Sequence, residues 1–169
     1  MTEHDVPASW TREALQDYGF RGFVPFASLA SSDVPEEPGV YCVIRPAVGE
    51  PEFRPVSPAG HYQGKDPTAS LSQLEALWVS GATVVYIGKA NHGGNKRRGL
   101  RKRLQECADF GAGRPVAHSG GRRIWQLSDS AELLVGWKQL PDEDVVSVET
   151  HLIEAFRRCH HQLPFANMK

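Results

Sequence analysis

The sequence predicts an α+β fold, a small three-stranded sheet flanked by helices. Three short runs rich in β-branched and aromatic residues, 39–45, 83–88 and 133–138, predict the strands. Stretches around 71–78, 100–108 and 145–159 carry apolar residues at helical spacing, and Gly and Pro punctuate the chain between these elements. A length of 169 residues with 40% hydrophobic and 23% charged residues suits one compact domain with its own core.

Residues 1–37 read as an N-terminal packing arm with a short helix from about Trp10 to Tyr18, stopped by Gly19. The domain proper runs over 38–169. Its first strand, Gly39 to Arg45, puts Val40, Cys42 and Ile44 on one face and Tyr41 and Val43 on the other. Residues 46–80 are an insertion, rich in Pro and Gly up to residue 67. Ser70 to Gln73 then has the spacing of a capping box, and Leu71, Leu74, Leu77 and Trp78 form the apolar stripe of a short helix ended by Gly81. In the second strand, Thr83 to Gly88, plain alternation puts Val84 and Tyr86 on one face. The third, Leu133 to Lys138, turns Leu133, Val135 and Trp137 the same way.

No stretch approaches the roughly 18 consecutive apolar residues of a membrane span, and no basic-then-apolar leader opens the chain, so a cytoplasmic location is expected. Cys42, Cys107 and Cys159 are odd in number and widely spaced. They are expected as reduced, mostly buried thiols and not as a disulfide framework or a zinc site.

The net charge of −1 hides an uneven distribution. Residues 91–125 hold nine cations, Lys96, Arg97, Arg98, Arg101, Lys102, Arg103, Arg114, Arg122 and Arg123, against Glu106 and Asp109, a net +7. Such a concentration suits a phosphate-tracking surface, because displaced counterions supply most of the affinity for nucleic acid. A solvated helix face is the alternative. Within the helix, Leu100, Leu104, Cys107 and Ala108 form the buried stripe, Lys102 points away, and Arg103 lies on the border, able to reach inward. His118 to Arg123 offers glycine N–H groups beside two arginines, a candidate phosphate cradle or a flexible basic loop.

The last helix starts with Asp142, Glu143 and Asp144 and repeats Val145, Val148, Leu152, Phe156 and Cys159 along its buried side. Glu149 falls inside that stripe, whereas Glu154 faces solvent. A carboxylate so placed must be paired or bind a metal; a salt bridge to an arginine is the purely structural reading.

Pro38-Gly39-Val40-Tyr41 and Val85-Tyr86-Ile87-Gly88-Lys89-Ala90 resemble the paired tyrosine strands of the GIY-YIG nuclease family. Leu100 to Leu104 resembles its arginine helix, Val148 to Ile153 the helix with its metal-binding glutamate, and Phe165-Ala166-Asn167 its terminal asparagine motif. The resemblance covers 38–45 and 83–169 and rests on five motifs in order. It implies a mainly antiparallel sheet with an inserted segment between the first two core strands. It also implies a metal-dependent endonuclease that hydrolyses phosphodiesters, DNA before RNA, with Tyr41, Tyr86, Lys89, Arg103, Glu149 and Asn167 as catalytic residues.

In that reading Glu149 holds Mg²⁺ or Mn²⁺ and Arg103 grips the scissile phosphate. Tyr41 is the favoured base, with Lys89 or a metal-bound hydroxide as alternatives, and Asn167 orients a tyrosine or phosphate. Lys96, Arg97, Arg98, Arg101, Lys102, His118, Arg122 and Arg123 are the expected nucleic-acid contacts, and the segment 60–65 a candidate clamp beside Tyr41. The alternative is an inactive nucleic-acid-binding module of the same fold.

Overall fold

The computed structural model describes residues 6–94, 98–118 and 120–168. Lys96, Arg97 and Ser119 lie outside the described residues. The architecture is α+β, with an open antiparallel sheet of four strands, one more than expected. The strands are β1 (Arg21–Pro25), β2 (Gly39–Ile44), β3 (Val84–Ala90) and β4 (Leu134–Gln139), in the order β1-β4-β2-β3. The helices are α1 (Arg12–Tyr18), α2 (Leu71–Leu77), α3 (Leu100–Gly111) and α4 (Asp142–His160). No described helix is long and apolar enough to cross a membrane.

The added strand comes from the N-terminal arm. Gly22, Phe23 and Pro25 disguise it, because Phe23 takes φ +60 at a bulge that shifts the register against β4. The arm therefore extends the sheet as well as packing on it.

Both faces of the sheet are covered. One carries Tyr41, Val43, Tyr86, Val135 and Trp137 against Leu100, Leu104, Cys107 and Phe110 of α3. The other carries Val40, Cys42, Ile44 and Ile87 against Leu15, Phe20 and Phe23 of the arm and Leu152 and Phe156 of α4. Every residue of β2 is buried, as a strand packed on both faces requires.

A bulge in β3 corrects the expected faces. Val43 pairs with Tyr86 and Ile44 with Val84, so Val85 is the extra residue. Val84 therefore packs with the α4 side and Tyr86 with the α3 side. The same bulge brings the Tyr86 ring to 5.9 Å from that of Tyr41.

The Ser70 cap forms, its Oγ accepting from Gln73 N at 3.2 Å, but α2 ends at Leu77, before Gly81. Leu71 is exposed and only Leu74 of the expected stripe is fully buried. The insertion packs all the same. Phe53 lies 5.6 Å from Phe165 and 6.2 Å from Trp78, and the Gln126 amide bonds Ala69 N, Ala69 O and Arg54 O. Gly60 N donates to Phe110 O at 2.9 Å, so the 60–65 segment starts at the end of α3 and not beside Tyr41. Of the thiols, Cys42 and Cys107 are buried, whereas Cys159 at the end of α4 is exposed.

Candidate active site

Edge strand β3 brings the two sides of the sheet to one hollow. Tyr86 reaches it from the α3 face and Lys89, three residues on, from the α4 face. Arg103 of α3 and Glu149 of α4 complete it, with Asn91, Gly93 and Arg98 at the rim; the volume is about 290 Å³. Lys89 Nζ lies 3.3 Å from Glu149 Oε1. Burial raises the Glu149 carboxyl above its ordinary pKa, while Lys89 and Arg103 pull it back.

The arginine pairing considered for Glu149 does not occur. Lys89 is its partner, and no carboxylate among the described residues pairs with the half-buried Arg103. Tyr41, Tyr86, Cys107 and His118 are its neutral neighbours, and Glu149, with which it forms no ion pair, lies within its electrostatic reach. A half-buried guanidinium whose nearest carboxylate is paired with a lysine instead is incompletely compensated, and an anion entering the hollow relieves that cost.

Tyr41 and Tyr86 divide their work. Tyr41 is fully buried and its Oη has no hydrogen-bond partner of good geometry, although Tyr86 and Arg103 act on it electrostatically. Burial, then Tyr86, hold its pKa well above the ordinary phenol value. Tyr41 therefore lies beneath the hollow and does not line it, so a base reaching a surface-bound water is not what its placement offers. Tyr86 lines the hollow, and burial pushes its pKa up to about 12. Gly88 makes room for both rings: a Cβ there would run into the Tyr41 ring, 2.6 Å from its Oη, and lie 2.8 Å from Tyr86 Cε2.

Asn167 is buried and its amide is spent on backbone. Its Oδ1 accepts from Ile87 N at 3.0 Å and its Nδ2 donates to Ile87 O at 2.9 Å, while Ala166 N donates to Val85 O at 2.9 Å. The Asn167 amide thus acts on the strand that carries Tyr86, beside the phenol it was expected to orient, and makes no hydrogen bond to either tyrosine among the described residues.

The expected nucleic-acid contacts scatter. Arg98 borders the hollow and pairs with Glu106. Arg101 turns to the far side of α3, where it pairs with Glu36 at 2.8 Å and donates to Val34 O at 2.9 Å. With Lys102 it lines a groove of about 1000 Å³ that also holds Glu36, Glu37, Glu106 and Asp109. That groove is of mixed charge, because the arm supplies acids that the local count of +7 omits. Arg122 is half-buried, and Arg123 donates to Asn167 O at 3.3 Å.

His118 is a correction. It is 1% exposed and so cannot belong to a surface cradle. The glycines after it do have a role that composition did not reveal. A Cβ on Gly120 would lie 3.1 Å from Tyr86 Oη, and one on Gly121, at φ +76, would lie 3.0 Å from the Tyr86 ring. They form the wall over that phenol. Asp142 was also missed: its Oδ1 accepts from His92 N at 2.9 Å and Asn91 Nδ2 at 3.3 Å, tying the rim of the hollow to the start of α4.

No group of three or more His, Cys, Asp and Glu side chains suited to a metal occurs among the described residues. The side-chain oxygen donors at the hollow are one carboxylate, one phenol and the Asn91 amide. They suit a hard cation that keeps most of its waters, not one caged by protein ligands. Comparison with known protein families, characterised proteins and solved structures finds no match for this chain.

Proposed function

We propose that the chain is a metal-dependent endonuclease of the GIY-YIG type, acting on nucleic acid and by that resemblance on DNA. The observation that carries this reading is Arg103, a half-buried arginine with no acidic partner, beside a half-buried carboxylate in the same hollow. One group calls for an anion and the other for a cation, and a phosphodiester with its divalent metal ion supplies both.

Arg103 holds the scissile phosphate, its planar fork suited to two oxygens at once. Glu149 would hold Mg²⁺ or Mn²⁺, and Lys89, its partner in the free protein, would then be available to phosphate or water. When bound, such a cation would neutralise charge on the phosphate and lower the pKa of a water beside it. Tyr86, protonated at neutral pH as an ordinary phenol is and held more firmly so by its burial, donates a hydrogen bond to a phosphate oxygen or the water. Tyr41 supports Tyr86 and Arg103 from beneath. Asn167 fixes the backbone between Tyr86 and Gly88.

Arg98, once released from Glu106, and Arg122 extend contact along the backbone; Arg101 and Lys102 contribute less. The test is incubation with supercoiled, linear, branched and RNA substrates in Mg²⁺ or Mn²⁺. Nicking that chelator stops supports the reading. Salt-sensitive binding without cleavage under all conditions supports an inactive nucleic-acid-binding module instead.

A further inference from the structure

Arg98 borders two cavities at once. It lines the hollow together with Arg103, and it lines the groove of mixed charge, where Glu106 holds its guanidinium. Its backbone is tied to the start of α4: Arg98 N donates to His92 O at 3.0 Å, and His92 N donates to Asp142 Oδ1 at 2.9 Å. Gly93, at φ +75, leaves room for its stem, since a Cβ there would lie 3.0 Å from Arg98 Cδ. Two of the first N–H groups of α3 are already spent, Leu100 N on Glu37 O and Arg101 N on Pro35 O, both at 2.9 Å. The side chain of Arg98, and not the helix start, is therefore the anion-binding feature here.

We propose that Arg98 forms a site for a second phosphate, the neighbour of the one on Arg103, and that Glu106 occupies this site in the free protein. The inference rests on the phosphate-binding reading of the hollow and names its substrate class: a chain of consecutive phosphates, not a lone phosphate. Arg103 has no ion-pair partner and is open to one phosphate. Arg98 stands at the rim with a carboxylate that must first be displaced. The side chains of that pair are 40% exposed for Arg98 and 20% for Glu106, and ion pairs open to solvent are weak and screened by salt. A phosphate joined through the chain to the one on Arg103 arrives at high effective concentration and outcompetes Glu106. A lone phosphate has no such help and leaves Arg98 where it is.

The test measures affinity in chelator for two probes, inorganic phosphate and a duplex DNA oligonucleotide. Glu106→Gln is expected to raise oligonucleotide affinity about three- to tenfold, to steepen its salt dependence by about one phosphate contact, and to leave phosphate affinity within about twofold. Glu36→Gln removes the same charge from the partner of Arg101 and is expected to move oligonucleotide affinity by less than about twofold. In an Arg98→Ala background the gain from Glu106→Gln disappears. Equal gains from Glu36→Gln and Glu106→Gln, a gain that survives Arg98→Ala, or an equal gain for inorganic phosphate overturns the proposal, as does a folded Glu106→Gln with no gain.

If Glu106→Gln does not fold, the Arg98 Nε–H resonance of wild type decides the matter. It is expected to move with the oligonucleotide and to stay in place with saturating inorganic phosphate; an unmoved resonance with oligonucleotide bound overturns the proposal. Nicking in Mg²⁺ or Mn²⁺ separates the two readings. Wild type that binds without cutting, with the Glu106 pattern intact, removes the nuclease assignment and leaves the second-phosphate site. Wild type that cuts while Glu106→Gln gains nothing overturns the site alone, and wild type that binds neither probe removes both.

Discussion

Arg101 and Arg103 stand two residues apart on α3 and meet opposite fates. Arg101 is exposed, paired with Glu36 and bonded to Val34 O. Arg103 is half-buried, has no acidic partner, and faces Tyr86, Lys89 and Glu149 across a small hollow. A tally of cations treats the two alike. The partner makes the difference: a cation already matched inside the fold has little left to offer a phosphate, and an unmatched one at the edge of the core has much.

Four substitutions, one loop replacement and one pH series sharpen that comparison. Glu149→Gln should lower cleavage by ~10²-fold or more, because it removes the hollow's carboxylate, while nucleic-acid affinity stays within about threefold. A plasmid-nicking assay beside a binding titration checks this, and unchanged nicking would remove Glu149 from the chemistry. Arg103→Lys should lower cleavage by about 10- to 100-fold despite the conserved charge, since the planar fork is lost. Matching losses for Arg103→Lys and Arg101→Ala would erase the distinction between the two sides of α3.

Phe53→Ala should cost about 2–4 kcal/mol in denaturant unfolding, because the ring packs on Phe165 and Trp78. By the same contacts, replacing residues 49–64 with a short linker should destabilise the fold. A deletion as stable as wild type would restore the insertion as peripheral.

Acid should also weaken the fold through His118. Its folded pKa, about 3, lies below the ordinary 6.5, so the unfolded chain takes up a proton that the folded one refuses. Stability from this group is full above pH 6.5 and is lost as pH falls toward 3, by about 2 kcal/mol at pH 5. In a series of unfolding midpoints, a properly folded His118→Phe should lose that part of the acid slope. The smallest effect belongs to Arg101→Ala, about 0–1 kcal/mol in stability and under threefold in cleavage, since its ion pair is exposed.

Glu149 and Arg103 were legible because helical periodicity is long and redundant: one residue out of pattern on α4, or on the border of the stripe on α3, stands out over several turns. Strands offer less redundancy. One inserted residue, Val85, reversed the face assigned to Val84 relative to Tyr86. A bulge at Phe23 hid β1 altogether. Long-range pairing was invisible for another reason. Glu36 is 65 residues from Arg101, and nothing local to either announces the other. His118 misled because Ser and Gly beside it read as a solvated loop, whereas the segment folds back over Tyr86.

The contact between Asn167 and Ile87 has a consequence for the chain's solubility. β3 is an outer strand, and an outer strand with free N–H and C=O groups is a template for another molecule's strand. The Asn167 amide presents both a donor and an acceptor to Ile87, as a neighbouring peptide would, and Ala166 occupies Val85 O. The opposite outer strand, β1, is short, bulged at Phe23 and ends in Pro25. Both margins of the sheet are thus protected against edge-to-edge aggregation, while the Gly88 to Ala90 end of β3 borders the hollow.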